Sequence, residues 1–245
     1  MRNQIVILAA GKGTRMGNGE VPKVLVMLKN KPLILYLLDE VSKINQLAKP
    51  IIVVGYKHEK VEAVLGDGYI YALQAEQKGT AHAVLAAKGK VRAENILVLY
   101  GDVPFLKAES LKRLIRLHYN NKSKLTMFTT TVPNFQGEYA PFVHFGRIIR
   151  GSAGSIIKIT EYKDATEEER KIKEVNPGIY MFNTKWLWEN IGDIRNNNAQ
   201  GEYYLTDMIE AAIKQDLRIE SLPIDPKEVL GINTIEQLRQ AENLV

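Results

Sequence analysis

The chain has 245 residues, a formal net charge of +5, 45% hydrophobic and 25% charged residues, and no cysteine. That length carries one large domain or two small ones with a sizeable core, and the mild positive charge suits anionic small-molecule substrates. Without cysteine there are no disulfides, thiolate catalysis or cysteine-bound zinc, as in a reducing cytoplasm; scattered Lys and Arg argue against a nucleic-acid surface, and no apolar run approaches a membrane span.

The first element is an apolar run, Ile5 to Ala10, read as a buried strand. Pro32 to Leu47 has Pro in its first turn and Leu33, Leu37, Val41 and Ile44 at helical spacing. Pro50 to Gly55 reads as strand, Lys57 to Leu65 as a helix closed by Gly66, and Tyr69 to Gln74 as strand. Gly79 to Val91 is an Ala-rich helix, Ile96 to Tyr100 a strand ending in Gly101-Asp102, Lys107 to Tyr119 a helix, and Leu125 to Val132 a β-branched strand. Repeated βα units of this kind predict an α/β fold: a Rossmann-like, three-layer α/β/α arrangement around a mixed, mostly parallel sheet.

After about residue 133 the pattern changes. Val143 to Arg150 and Ser155 to Tyr162 read as a hairpin around Gly151 to Gly154. A charged helical segment (Thr166 to Lys173), a strand (Gly178 to Phe182), helices at Thr184 to Ile191 and Thr206 to Gln215, a strand (Leu217 to Leu222) and a closing helix (Thr234 to Leu244) follow. No Pro/Gly/Ser-rich linker or internal repeat divides the chain. One unit with two lobes is expected: 1–133, and 134–245 together with the closing helix.

The most informative segment is LAAGKGTRM (Leu8 to Met16) with Pro22-Lys23 beyond it. A strand that runs into a glycine loop lets backbone N–H groups approach an anion, and Lys12, Arg15 and Lys23 add positive charge. It is not a P-loop: the Gly required five residues before Gly11-Lys12 would fall at Val6, inside the strand. The third glycine of a dinucleotide fingerprint would fall at Met16, and Gly17 is one residue late. A tight βα turn with solvated basic residues is the plainer reading of Gly-Lys-Gly alone. The cations favour a triphosphate over a pyrophosphate cradled by amides.

Taken with later segments, the string resembles the sugar-1-phosphate nucleotidylyltransferases. These segments are QAEQKGTAHA (Gln74 to Ala83), LYGDVP (Leu99 to Pro104), FGRI (Phe145 to Ile148), EYKDAT (Glu161 to Thr166), EVNPG (Glu174 to Gly178), NNNAQGEYYLTD (Asn196 to Asp207) and GINT (Gly231 to Thr234). In order and nearly end to end, they are similar to the uridyltransferase domain of the bacterial N-acetylglucosamine-1-phosphate uridyltransferases. The resemblance implies that a sugar 1-phosphate attacks the α-phosphorus of UTP and releases pyrophosphate, giving UDP-N-acetylglucosamine with Mg²⁺ as cofactor. Another sugar, such as glucose 1-phosphate with UTP or dTTP, is the alternative.

The resemblance makes Arg15 and Lys23 catalytic, clamping pyrophosphate and touching the reacting phosphates. It gives the nucleotide to Leu8, Ala9, Ala10, Gly11, Lys23, Gln74, Gly79, Thr80, Tyr100, Gly101 and Asp102, with Gln74 on the pyrimidine edge. Gly146, Glu161 and Asn176 are implied sugar contacts, and Asp102 and Asn233 the metal ligands. Read as residues alone, Asp102 is a turn former before Pro104, Thr80 a helix cap, Lys23 a surface lysine after a turn proline and Glu161 an exposed strand charge, and Asn233 is equally a helix-start residue. His58, His82, His118 and His144 lack ligand spacing.

The chain departs from the family pattern in places. Arg15 and Lys23 are one residue further apart than usual, through GNGEV (Gly17 to Val21); Asn176-Pro177-Gly178 stands for the family's NTG; and Asn134 to His144 is longer than the usual stretch. No hexapeptide-repeat acetyltransferase segment is present in these 245 residues, so acetyl transfer is not expected of them. The expected setting is cytoplasmic, as a monomer or small homo-oligomer, with no nucleic-acid or membrane partner. A non-catalytic nucleotide-sugar sensor would be expected to lack Arg15, Lys23 or Asp102, and a dehydrogenase is a distant further reading.

Overall fold

A computed structural model describes residues 3–16 and 19–244; Gly17 and Asn18, part of the longer loop, lie outside the described residues. In chain order the strands and helices are β1 (Asn3–Ala9), β2 (Met27–Leu28), β3 (Lys31–Pro32), α1 (Leu33–Ser42), β4 (Leu47–Val54), α2 (His58–Leu65), β5 (Ile70–Leu73), α3 (Thr80–Ala86), β6 (Asn95–Tyr100), α4 (Ala108–Asn120) and β7 (Leu125–Thr131). Then come β8 (Gly146–Arg150), β9 (Ile156–Thr160), α5 (Glu167–Arg170), β10 (Glu174–Asn176), β11 (Tyr180–Asn183), α6 (Thr184–Asn190), α7 (Asp207–Lys214), β12 (Glu220–Pro223) and α8 (Ile235–Glu242).

The main sheet runs β5-β4-β1-β6-β11-β7-β10-β8-β9, with β12 on the other side of β7. Pairing is parallel from β5 through β6, antiparallel from β6 through β9, and parallel again at β12. Two apolar layers sandwich this mixed sheet. Ile5, Ile7 and Ala9 of β1 face α1, α2 and α4, whereas Val6, Leu8 and Ala10 face α3, α6 and α7. A strand buried on both faces explains why its sequence is a continuous apolar run and does not alternate. Chain order reverses at β1, which has β4 on one side and β6 on the other. In open α/β sheets such a reversal opens a crevice at the carboxyl ends of the strands.

Several expected boundaries move. Helix α1 ends at Ser42, not Leu47, because Leu47 already belongs to β4, after Gln46 at φ +64°. Pro50 sits inside β4 where the register with β1 shifts between Gln4 and Val6; the irregularity absorbs the residue with no N–H. Helix α3 stops at Ala86 and gives way to a 3₁₀ turn over Lys88–Lys90. The hairpin exists as β8 and β9, but residues 143–144 belong to a 3₁₀ stretch, Gly137–His144. Strand β10 was not expected; it is three residues long, ends before a proline, and is fixed by pairing with β7 and β8. The final strand spans Glu220–Pro223, later than Leu217 to Leu222.

Candidate active site

A cavity of ≈ 470 Å³ opens at the carboxyl ends of β1 and β6 and extends to β10 and the loop before α7. Its walls include Leu8, Ala9, Ala10, Gly11, Lys23, Gln74, Gly79, Thr80, Tyr100, Asp102, Gly146, Glu161, Asn176 and Asn233, each a residue singled out from sequence. Two others do not line it. Arg15 sits exposed on a 3₁₀ turn, Thr14–Met16. Gly101 lies behind the wall; its N–H donates to the Leu8 carbonyl at 3.0 Å, and a Cβ there would reach Val24 Cγ1 at 3.0 Å.

The floor is a cation bridging two oxygens. Lys23 Nζ lies 2.5 Å from Asp102 Oδ2 and 2.9 Å from Asn233 Oδ1. Gly13, at φ +65°, permits this approach: a Cβ would stand 2.7 Å from the Lys23 Cβ. The Asp102 carbonyl accepts from Ile232 N–H at 2.9 Å, which ties the β6 turn to the GINT segment. Asn233 N–H donates to Gln237 Oε1, while Thr234 caps α8 by accepting from Gln237 N–H. The oxygen pair is one charged and one neutral hard donor converging on a single positive centre. That donor chemistry fits Mg²⁺, which keeps several waters and takes further ligands from substrate phosphates. Among the described residues, no group of three or more His, Cys, Asp or Glu side chains is placed to hold a metal ion.

At one end, Gln74 is 3% exposed. Its Nε2 donates to the Gly79 carbonyl at 3.2 Å and lies 3.0 Å from His82 Nδ1. Gly79 is at φ +111°, and a Cβ there would collide with the Tyr203 carbonyl oxygen at 2.5 Å. Only glycine lets these two backbones meet, and they bond: Tyr203 N–H to the Lys78 carbonyl, Ala81 N–H to the Tyr203 carbonyl. Thr80 Oγ1 accepts from Leu205 N–H at 2.9 Å and also bonds the Tyr100 hydroxyl, so it is not a simple cap. Burial drives the Tyr100 phenol well above its ordinary range, with Glu161 and Asp102 adding to it.

At the other end, Glu161 Oε1 accepts from Thr206 Oγ1 at 2.9 Å. Burial raises its carboxyl, and Asp207 and Asp164 push the same way against the Thr206 bond. Gly146 keeps this carboxylate accessible; a Cβ would stand 3.4 Å from Glu161 Oε1. Asn176 donates from Nδ2 to the Tyr180 hydroxyl at 2.5 Å and accepts from Gly178 N–H at 2.9 Å, so its amide also pins the Asn-Pro-Gly turn. Gly178, at φ +77°, packs on the Tyr100 ring. The frame behind is Arg147, fully buried, whose guanidinium donates to the carbonyls of Phe145, Val143 and Arg170 and stacks 4.5 Å from the Phe135 ring centre.

The walls also contain Gln77, Phe145, Gln200, Glu202, Tyr204 and Thr206, which were not singled out individually. All six lie in the quoted segments, and the segment was the available signal. Gln200, Glu202, Tyr204 and Thr206 reach the cavity from the loop before α7.

Residues 5–172 match the MobA-like NTP transferase domain. The chain is 39% identical over 240 residues to the Bifunctional protein GlmU of Brevibacillus brevis, covering 97% of this chain and 50% of that protein. It is 40% identical over 247 residues to the protein of the same name from Clostridioides difficile, covering 100% and 52%. The chain thus spans about half the length of the curated relatives it matches. Among solved structures it resembles one described as a putative glucose-1-phosphate thymidylyltransferase from Bacillus anthracis (TM-score 0.79, 21% identity, 99% of this chain and 94% of that one). It also resembles a UDP-glucose pyrophosphorylase complexed with UDP-glucose (TM-score 0.77, 19% identity, 100% and 98%); both likenesses speak to the fold. No described helix is long and apolar enough to cross a membrane. With a cation bridging Asp102 and Asn233 at the sheet's reversal point, and that match over residues 5–172, the chain belongs to the MobA-like NTP transferase domain family and is a nucleotidyltransferase.

Proposed function

We propose that this chain transfers the uridylyl group of UTP to N-acetylglucosamine 1-phosphate, releasing pyrophosphate and forming UDP-N-acetylglucosamine. The observation that carries the reading is the single cavity joining Gln74, the Lys23–Asp102–Asn233 cation site and Glu161. Its size is that of a small-molecule site.

A sugar-phosphate oxygen attacks the α-phosphorus, and the bond from that phosphorus to the bridging oxygen breaks as pyrophosphate leaves. The nucleophile is already an oxyanion, so the chain's task is positioning and charge stabilisation. Leu8 to Gly11 offer backbone at the end of β1, with Gly11 lacking a Cβ that would block approach. Lys23 neutralises the reacting phosphates, and Arg15, exposed on its turn, closes on the departing pyrophosphate. Gln74 reads the pyrimidine edge, held by Gly79 and backed by Thr80, Tyr100 and Gly101. Glu161, Gly146 and Asn176 receive the sugar. Asp102 and Asn233 would hold Mg²⁺, which supplies charge neutralisation for the phosphates when bound. The resemblance of the segments from Gln74 to Thr234 to the N-acetylglucosamine-1-phosphate uridyltransferases supports N-acetylglucosamine; Pro177 beside Asn176 keeps glucose 1-phosphate as the second reading. The reading carries a cytoplasmic setting with it.

Pyrophosphate release over a panel of triphosphates and sugar 1-phosphates, with and without Mg²⁺, tests it. UTP with N-acetylglucosamine 1-phosphate is expected to be fastest and metal-dependent. No turnover with UTP and any hexosamine phosphate would refute it.

A further inference from the structure

Thr206 precedes α7 with helical backbone angles (φ −58°, ψ −25°), and the N–H groups of Asp207, Met208 and Ile209 already bond the carbonyls of Tyr204, Leu205 and Thr206, so its hydroxyl is not needed as a cap. Thr166, Asn183, Asp225 and Thr234, which do cap their helices, have extended backbone instead. Thr206 spends its hydroxyl on Glu161 Oε1, at 2.9 Å, and its side chain lines the cavity. The backbone is fixed on both sides: Leu205 N–H bonds Thr80 Oγ1, and Asp207 N–H bonds the Tyr204 carbonyl.

We infer that Thr206 is a positioning residue that sets the orientation of the Glu161 carboxylate toward the sugar hydroxyls. This rests on the sugar reading of Glu161 given above. The surroundings make such a donor necessary. Besides burial and Thr206, the groups acting on Glu161 are Asp207 on α7 and Asp164 on its own segment, both acidic, while the Glu161 charge in turn raises the phenols of Tyr100 on β6, Tyr180 on β11 and Tyr204 on the preceding loop. A desolvated carboxylate in that company protonates or turns away unless a donor holds it, and a neutral hydroxyl does so without neutralising its charge.

Thr206→Val and Thr206→Ser test this. Val is expected to raise KM for the sugar 1-phosphate about 10-fold, the size of one hydrogen bond to a charged group, with KM for UTP unchanged. The acidic limb of kcat/KM for the sugar phosphate moves to higher pH, and Ser restores both. Carboxyl ¹³C NMR of Glu161 in the free protein gives a readout that needs no substrate: its titration moves to higher pH in Thr206→Val and returns in Thr206→Ser. An unshifted Glu161 titration, an equal rise in both KM values, or no rescue by Ser overturns the proposal. If the wild type turns over no sugar 1-phosphate, the functional reading fails, and the Glu161 titration still decides whether Thr206 positions it.

Discussion

The two sides of the cavity are built by different means. On the β5-β4-β1-β6 side, parallel strands all end at one edge, so Leu8 to Gly11, Gln74 and Tyr100 to Asp102 arrive together as consequences of the sheet itself. On the other side, β10, the Glu161 turn and the loop before α7 come from antiparallel strands and crossing segments, and each contact needs its own fastening. Those fastenings are specific: Arg147 on its carbonyls, Asn176 on Tyr180, Thr206 on Glu161. The parallel side brings backbone and charge to one edge by topology, whereas the antiparallel side brings side chains held by individual bonds.

The largest effect is expected at the floor. Lys23→Ala removes the cation between Asp102 and Asn233 and is expected to lower kcat about 1000-fold, some 4 kcal/mol of barrier. Pyrophosphate-release kinetics, with circular dichroism to verify folding, measure this; turnover within about 10-fold of wild type would deny Lys23 its role.

Next comes the joint between the two sides. Gly79→Ala places a Cβ 2.5 Å from the Tyr203 carbonyl oxygen at a backbone angle of +111°. A loss of about 3 kcal/mol in urea unfolding is expected, because backbone on backbone has no flexible end to yield. A near-neutral result would mean that the two sides are not rigidly joined there.

Two groups away from the cavity floor, each shifted by burial, answer pH in opposite directions. His118 in α4, bonded to Thr126 and Asn95, is buried and its pKa lies at about 4 against an ordinary 6.5. It stays neutral when folded, so the stability it contributes is present above 6.5 and lost as pH falls toward about 4. Asp207 at the start of α7 is raised from 3.8 to about 6 by burial, with Glu210 and Asp164 adding. The folded state then binds the extra proton, so its contribution is present below 3.8 and lost as pH rises to about 6. Unfolding free energy against pH should lose its acid-side fall in His118→Gln, by about 3 kcal/mol, and steepen that fall in Asp207→Asn. Parallel curves for all three proteins would contradict this.

The smallest effect is expected at Arg150, which bonds both oxygens of Glu174 at 2.8 and 2.7 Å on a solvent-facing part of the antiparallel side. Arg150→Ala should cost under about 1 kcal/mol in the same unfolding experiment and leave kinetics unchanged.

How far each side could be read from the sequence follows the same division. The apolar run Ile5 to Leu8, the Gly11 loop and the Gly101-Asp102 turn are local signals, and the structure brings nearly all of them to one edge. Strand β10 was invisible because three residues before a proline carry no periodicity; only pairing with β7 and β8 makes it a strand. Thr206 reads only as the start of a helix, and the bond from its hydroxyl to Glu161 joins residues 45 apart in the chain. The placement of Arg15 outside the cavity wall is likewise a property of the loop's path and not of its glycine pattern.

The central claim is that one side of the cavity receives the nucleotide and the other the sugar phosphate. Steady-state kinetics of Gln74→Ala and Glu161→Gln, with each substrate varied in turn, test it most directly. Gln74→Ala should raise KM for UTP about 10-fold and leave KM for the sugar 1-phosphate in place, and Glu161→Gln should do the reverse. Both variants raising the same KM, or neither raising any, would contradict it.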